Sequence, residues 1–173
     1  TKIIYLVMAH SWDDYFMTLG YVVASKSKDN KTHLGAVIIG HKKEIVSVGY
    51  NGFPRGINDY APERQERPEK YYWMEHAERN AIYNATLIGA SLENCKIYVS
   101  QIPCMDCARA IVQSGIKEVI VDKKWNEDNS ELWDEHSKRA LKMFEEAGVK
   151  VRYWEGNYIE LHKFKDGKRE SLK

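Results

Sequence analysis

Two of the three cysteines in this chain sit three positions apart in PCMDC, residues 103–107, directly behind a proline. That spacing suits either a redox pair or two corners of a zinc site. Pro103 is suited to a first helical turn, which sets Cys104 and Cys107 one turn apart on one helix face, where free backbone N–H groups favour thiolates. A redox pair explains nothing else in the sequence. Zinc demands further ligands, and His76, in the run HAE, is the candidate. His76, Cys104 and Cys107 make three ligands and leave a fourth tetrahedral position open, as catalytic zinc sites do and closed structural ones do not. Glu78 lies two residues past the histidine, too near to ligate from the same turn but placed to exchange protons with water in the open position.

The elements that must hold these groups alternate. Trp12 to Ser25 carries apolar residues at helical spacing, with Asp13 and Asp14 in the first turn where they suit the helix dipole. LGAVIIG (34–40) and EIVSVGY (44–50) are β-branched runs separated by HKK, a hairpin pattern. The Gly-, Pro- and charge-rich segment from 50 to 70 reads as one long loop. HAERNAIYNATLIG (76–89) is helical, KIYVSQ (96–101) a strand, DCARAIVQSG (106–115) a helix and EVIVD (118–122) a buried strand. ELWDEHSKRALKMFEEAG (131–148) is a further helix and VKVRYW (149–154) a further strand, while TKIIYLVMA (1–9) shows no period that assigns it. Strand, helix, strand, helix, strand predicts right-handed crossovers and helices on both faces of a largely parallel sheet, the early hairpin adding an antiparallel edge. In such a layer the starts of the helices at 76 and 104 are neighbours.

At 173 residues with 43% hydrophobic content, the chain suits one domain, residues 1–173, with a full core. Lys and Arg total 26 against 25 Asp and Glu, unlike a chain that grips a nucleic acid backbone. The longest apolar runs are far short of a membrane span, no signal segment opens the sequence, and three sparse cysteines do not make a disulfide framework, so a cytoplasmic protein is expected. Cys95 reads as a buried thiol and Arg79 as a surface helix charge.

HAE followed by PCMDC is the H-x-E and P-C-x-x-C pattern of zinc-dependent nucleobase deaminases, in which water attacks the ring carbon bearing the exocyclic amine while the glutamate carries protons. With WDDYFM (12–17), ASKSKD (24–29), LGAVII (34–39), GYNGFPRG (49–56) and EAGVKV (146–151), the chain resembles the deoxycytidylate deaminases over about residues 12–154. The resemblance implies an α/β fold with a five-stranded mixed sheet between helices, zinc (Zn2+), hydrolysis of dCMP to dUMP, and a homo-oligomer. It also implies that Asn51 of GYNG contacts the nucleotide. Lys26 stands where the family commonly has a phosphate-binding arginine, and Trp125 where a tyrosine is expected, so both are candidate substrate-binding residues. A deaminase of another small cytosine or purine compound, a tRNA adenosine deaminase and a non-catalytic zinc module stay open as alternatives.

Overall fold

The computed structural model describes residues 9–129 and 134–172. Helix α1 (Trp12–Ala24) opens with Ser11, whose Oγ accepts the Asp14 N–H at 3.0 Å. Strands β1 (Gly35–Ile39) and β2 (Ile45–Tyr50) form the expected hairpin. Helix α2 (Glu69–Trp73) follows, then α3 (Ala77–Ile88), β3 (Lys96–Val99), α4 (Met105–Gln113), β4 (Glu118–Asp122), α5 (Lys123–Asp128), α6 (Asp134–Glu146) and β5 (Lys150–Trp154). One five-stranded sheet runs β2-β1-β3-β4-β5, with β1 antiparallel to both neighbours and β3, β4 and β5 mutually parallel. The α/β layering read from the sequence is thus the layering observed.

Alternation along the buried strands sorts the core into two layers. Val37, Ile39, Tyr98, Ile120 and Trp154 meet Phe16 and Met17 of α1 on one face. Ala36, Ile38, Ile97, Val119 and Val121 meet Ala81, Ile111 and Phe144, from α3, α4 and α6, on the other. A one-residue slip of β1 would exchange the two sets, so this register is strongly specified. The carboxyl ends of β2, β3 and β4 lie at the same end of the sheet, where open α/β sheets place their sites.

Three segments differ from the expectation. The stretch from 50 to 70 is not one structureless loop: Pro62–Gln65 forms a 3-10 turn and α2 begins at Glu69. The buried Gln65 side chain fastens it, accepting the Asn30 N–H at 3.2 Å and donating to the Lys28 carbonyl at 3.1 Å. Helix α5 was not foreseen; Asp122 starts it by accepting the Trp125 N–H at 3.2 Å. Nor was the hairpin of β6 (His162–Lys165) and β7 (Lys168–Ser171), turned by Asp166 and Gly167, both at positive φ. The predicted helix over 131–148 is seen as α6, and its residues 131–133, like residues 1–8, lie outside the described residues.

Two glycines allow helices to lie directly on the hairpin. A Cβ on Gly35 would fall 2.0 Å from the Gly20 carbonyl oxygen of α1, and one on Gly49 would fall 2.2 Å from the Ala81 nitrogen of α3. Around Gly49 the seam between β2 and α3 is polar: Ser47 Oγ donates to the Ala81 carbonyl at 2.7 Å, while Asn84 and Asn80 donate to the Val48 and Tyr50 carbonyls at 2.7 and 2.8 Å. Backbone on both sides of the contact leaves no soft side chain to give way. Gly49→Ala is therefore expected to cost about 1–3 kcal/mol or more, read as a lower denaturant midpoint at unchanged m-value; an unaltered midpoint would mean that α3 can lift off β2 freely.

Candidate active site

Helices α3 and α4 begin side by side. His76 is the N-cap of α3 and Cys104 the N-cap of α4, both with extended backbone, and neither side chain caps its own helix. Pro103 therefore precedes the N-cap instead of sitting in the first turn, and Cys107 supplies the helical ligand position. The three side chains turn toward one another: His76 Nδ1 lies 3.4 Å from Cys104 Sγ and 3.6 Å from Cys107 Sγ. Their three donor atoms all lie within 4.8 Å, the one such group of His, Cys, Asp and Glu among the described residues. Cys95 is apart from it, buried, with Sγ 3.9 Å from the Ser91 carbonyl oxygen.

This donor set fits zinc. An ion with Zn–S of about 2.3 Å and Zn–N of about 2.0–2.1 Å at tetrahedral angles holds sulfur and nitrogen about 3.6 Å apart. One imidazole nitrogen and two sulfurs are the ligands a borderline-soft cation prefers. Cys104 is held down to about 3, first by its hydrogen bond with Cys107 and then, against burial, by His76. The same bond, with burial, pushes the Cys107 thiol up. His76 is raised, chiefly through its bond with Cys104. Burial lifts the Glu78 carboxyl above the usual carboxylate range, opposed by the positive His76. Glu78 sits in the first turn of α3 and lines one cleft with His76 and Cys104, while Cys107 lies buried behind them.

Arg79 is not the surface charge its sequence position suggests. Its side chain is 15% exposed, with Nε 2.7 Å from Glu75 Oε2 and Nη1 3.7 Å from Asp106 Oδ2. Nη1 also donates to Cys107 Sγ at 3.8 Å. A guanidinium against a ligand sulfur offsets thiolate charge from outside the donor set. Nothing in the pattern HAER distinguishes this from a solvated helix charge; only the approach of α4 to α3 does.

The cleft, about 450 Å³, is walled by Leu34, Met74, Ile102 and Trp125 and by a polar network around Asp29. Asn51 lies at the cleft as expected, but both its amide protons are used within the protein: Nδ2 donates to Asp29 Oδ2 at 3.1 Å and to the Thr32 carbonyl at 2.8 Å. Its Oδ1 accepts the Leu34 N–H at 2.8 Å, so Asn51 braces the segment from 27 to 34 and keeps spare acceptor capacity only. Trp125 also lines the cleft; its Nε1 is the one buried side-chain polar atom without a partner among the described residues. The structure does not bring Lys26 to the cleft. Its N–H closes the end of α1 on the Val23 carbonyl at 3.1 Å and its side chain is exposed, while Lys28 turns aside to pair with Asp59. The chain enters the cleft only at Asp29, and the cationic lining residues are Lys31, Arg67 and Lys70. Sequence reasoning missed all three, because each depends on how the segment from 51 to 75 folds back.

A family model described as the cytidine and deoxycytidylate deaminase zinc-binding region matches residues 10–123. A protein of Aliivibrio fischeri named an uncharacterized deaminase in the luxG 3' region is 41% identical over 146 residues, 84% of this chain and 95% of its own length. The deoxycytidylate deaminase of Mus musculus is 36% identical over 155 residues, 87% of this chain and 83% of its own. The crystal structure of dCMP deaminase from cyanophage S-TIM5 in apo form matches with a TM-score of 0.65 over 85% of this chain and 100% of that one, at 22% identity, a likeness of fold.

Loss of the contact between Arg79 and Cys107 should weaken metal retention. Arg79→Gln is expected to lower zinc affinity by about 10- to 100-fold in a competition titration against a chelator. Unchanged affinity would leave the guanidinium with no task beyond its ion pairs with Glu75 and Asp106.

Proposed function

This chain belongs to the cytidine and deoxycytidylate deaminase family, and from that premise we propose that it acts as one deaminase domain that hydrolyses dCMP to dUMP and ammonia. The observation that carries the reading is Glu78, a buried carboxylate lining the same cleft as His76 and Cys104. A metal centre that only held the fold together would have no use for a carboxylate beside an open position. The relative named deoxycytidylate deaminase, matched over 87% of this chain, supports the choice of substrate. So does the near-neutral net charge of +1, which suits a free nucleotide better than a polynucleotide.

Zinc, when bound by His76, Cys104 and Cys107, supplies a polarised water that is nucleophilic near neutral pH. The remaining work falls to the chain itself. Water adds at C4 of the cytosine ring while Glu78 takes its proton and delivers it to N3. A second proton passes through Glu78 to the exocyclic nitrogen, the C4–N4 bond breaks, ammonia leaves, and the oxygen from water remains as the new carbonyl of uracil. A carboxylate serves both directions of transfer, taking a proton from water and returning it to the ring and to the leaving amine. Leu34, Met74, Ile102 and Trp125 offer apolar walls for a planar base.

Cytoplasmic location and self-association are part of the same reading. Three free cysteines support a reducing compartment. Tyr83, Leu87 and Ile88, exposed on α3, support a homo-oligomer, which light scattering would read directly.

Glu78→Gln keeps the size and reach of the side chain and removes the proton carrier. Turnover of dCMP should fall by a factor on the order of 100 or more with zinc content unchanged. Near-normal turnover would assign proton transfer to another group, and loss of zinc would make Glu78 a structural residue.

A further inference from the structure

We propose that Arg67 is the residue that recognises the substrate's phosphate, an inference that rests on the nucleotide reading above. The reacting carbon must reach Glu78, which is buried, and the phosphate lies at the other end of the ribose, on the side of the exposed lining residues Arg67 and Tyr71. Of the lysines and arginines among the described residues, three line that cleft, Lys31, Arg67 and Lys70, with His136 also in the lining. Lys70 is committed to a buried carboxylate, and Lys31 is paired with a carboxylate at the surface. Lys70 Nζ lies 2.7 and 2.6 Å from the two oxygens of buried Asp29, and Lys31 Nζ lies 2.7 Å from Glu66 Oε2.

Arg67 meets no carboxylate among the described residues. Its guanidinium lies over the ring of Tyr71, 5.3 Å from the centroid, and Tyr71 lines the same cleft. With no carboxylate on it, the guanidinium keeps its N–H fork available for a two-pronged contact with a phosphate. The segment that carries it is fastened at its base, where the Lys70 N–H donates to the Glu66 carbonyl at 2.9 Å and the Tyr71 N–H to the Pro68 carbonyl at 3.0 Å. Lys26, exposed at the end of α1, does not line the cleft.

Steady-state kinetics on dCMP and on deoxycytidine, which lacks the phosphate, test the assignment in the zinc-loaded chain. Arg67→Gln should raise the KM for dCMP about ten-fold or more and leave the KM for deoxycytidine near that of the unmutated protein. Arg67→Lys should recover part of the loss, since it restores the charge without the fork. An equal effect on both substrates, no effect on either, or a dCMP-specific loss produced by Lys26→Gln in place of Arg67→Gln would overturn the assignment. Failure of the unmutated protein to turn over dCMP would overturn the nucleotide reading itself, whereas any Arg67 result obtained with an active parent leaves that reading intact.

Discussion

Two helices start at one point, and neither start is closed by its own N-cap side chain. The first N–H groups of α3 and α4 carry the positive ends of two helix dipoles into a common volume, and sulfur and imidazole occupy it in place of serine or aspartate caps. Everything else at the site follows from that convergence. It favours thiolate over thiol, it brings a histidine and two cysteines from separate elements within ligating distance, and it sets the carboxylate of Glu78 in the first turn beside them. The cost falls on stability, since a missing cap is worth about 0.5–2 kcal/mol for each helix, and the packing of both helices against the sheet offsets it.

The substrate wall obeys a different economy of charge. Asp29 is nearly wholly buried, and a carboxylate in that position is tolerable only because Lys70, the Asn51 amide and the backbone N–H groups of Lys31 and Thr32 all face it. Breaking such a buried pair by removing one partner costs about 3–5 kcal/mol. Lys70 and Asn51 are thus committed to the wall itself. Functional contacts to a ligand fall to groups that this network leaves free, which separates the residues that build the cleft from those able to read its occupant.

Much of this was legible in the sequence, for reasons that differ by residue. His76, Glu78, Cys104 and Cys107 could be read because their chemistry admits few residue types at few spacings, and the two neighbouring helix starts follow from strand order. The sheet could be read because GAVII and EVIVD are buried on both faces and have no other plausible fate. Lys26 could not be placed: whether it or a residue from the segment 51–75 reaches the cleft depends on where the chain turns after α1, and no periodicity encodes that turn. Arg79 was legible as a charge but not as a neighbour of Cys107, a contact 28 residues away. Helix α2 spans only five residues, too few to show a period. The hairpin of β6 and β7 was announced by the pair Asp166-Gly167, a signal present in the sequence and passed over beside stronger ones.

The asparagines of α3 have a meaning for assembly as well as for the site. β2 is an outer strand, and an outer strand normally offers its spare carbonyls to any extended chain that drifts alongside. Here Asn80 and Asn84 already occupy those of Tyr50 and Val48. A second copy continuing the sheet across β2 would have to compete with these two bonds, which also help to seat α3. The residues that fasten the helix thus also blunt the border at which strand-to-strand growth would begin.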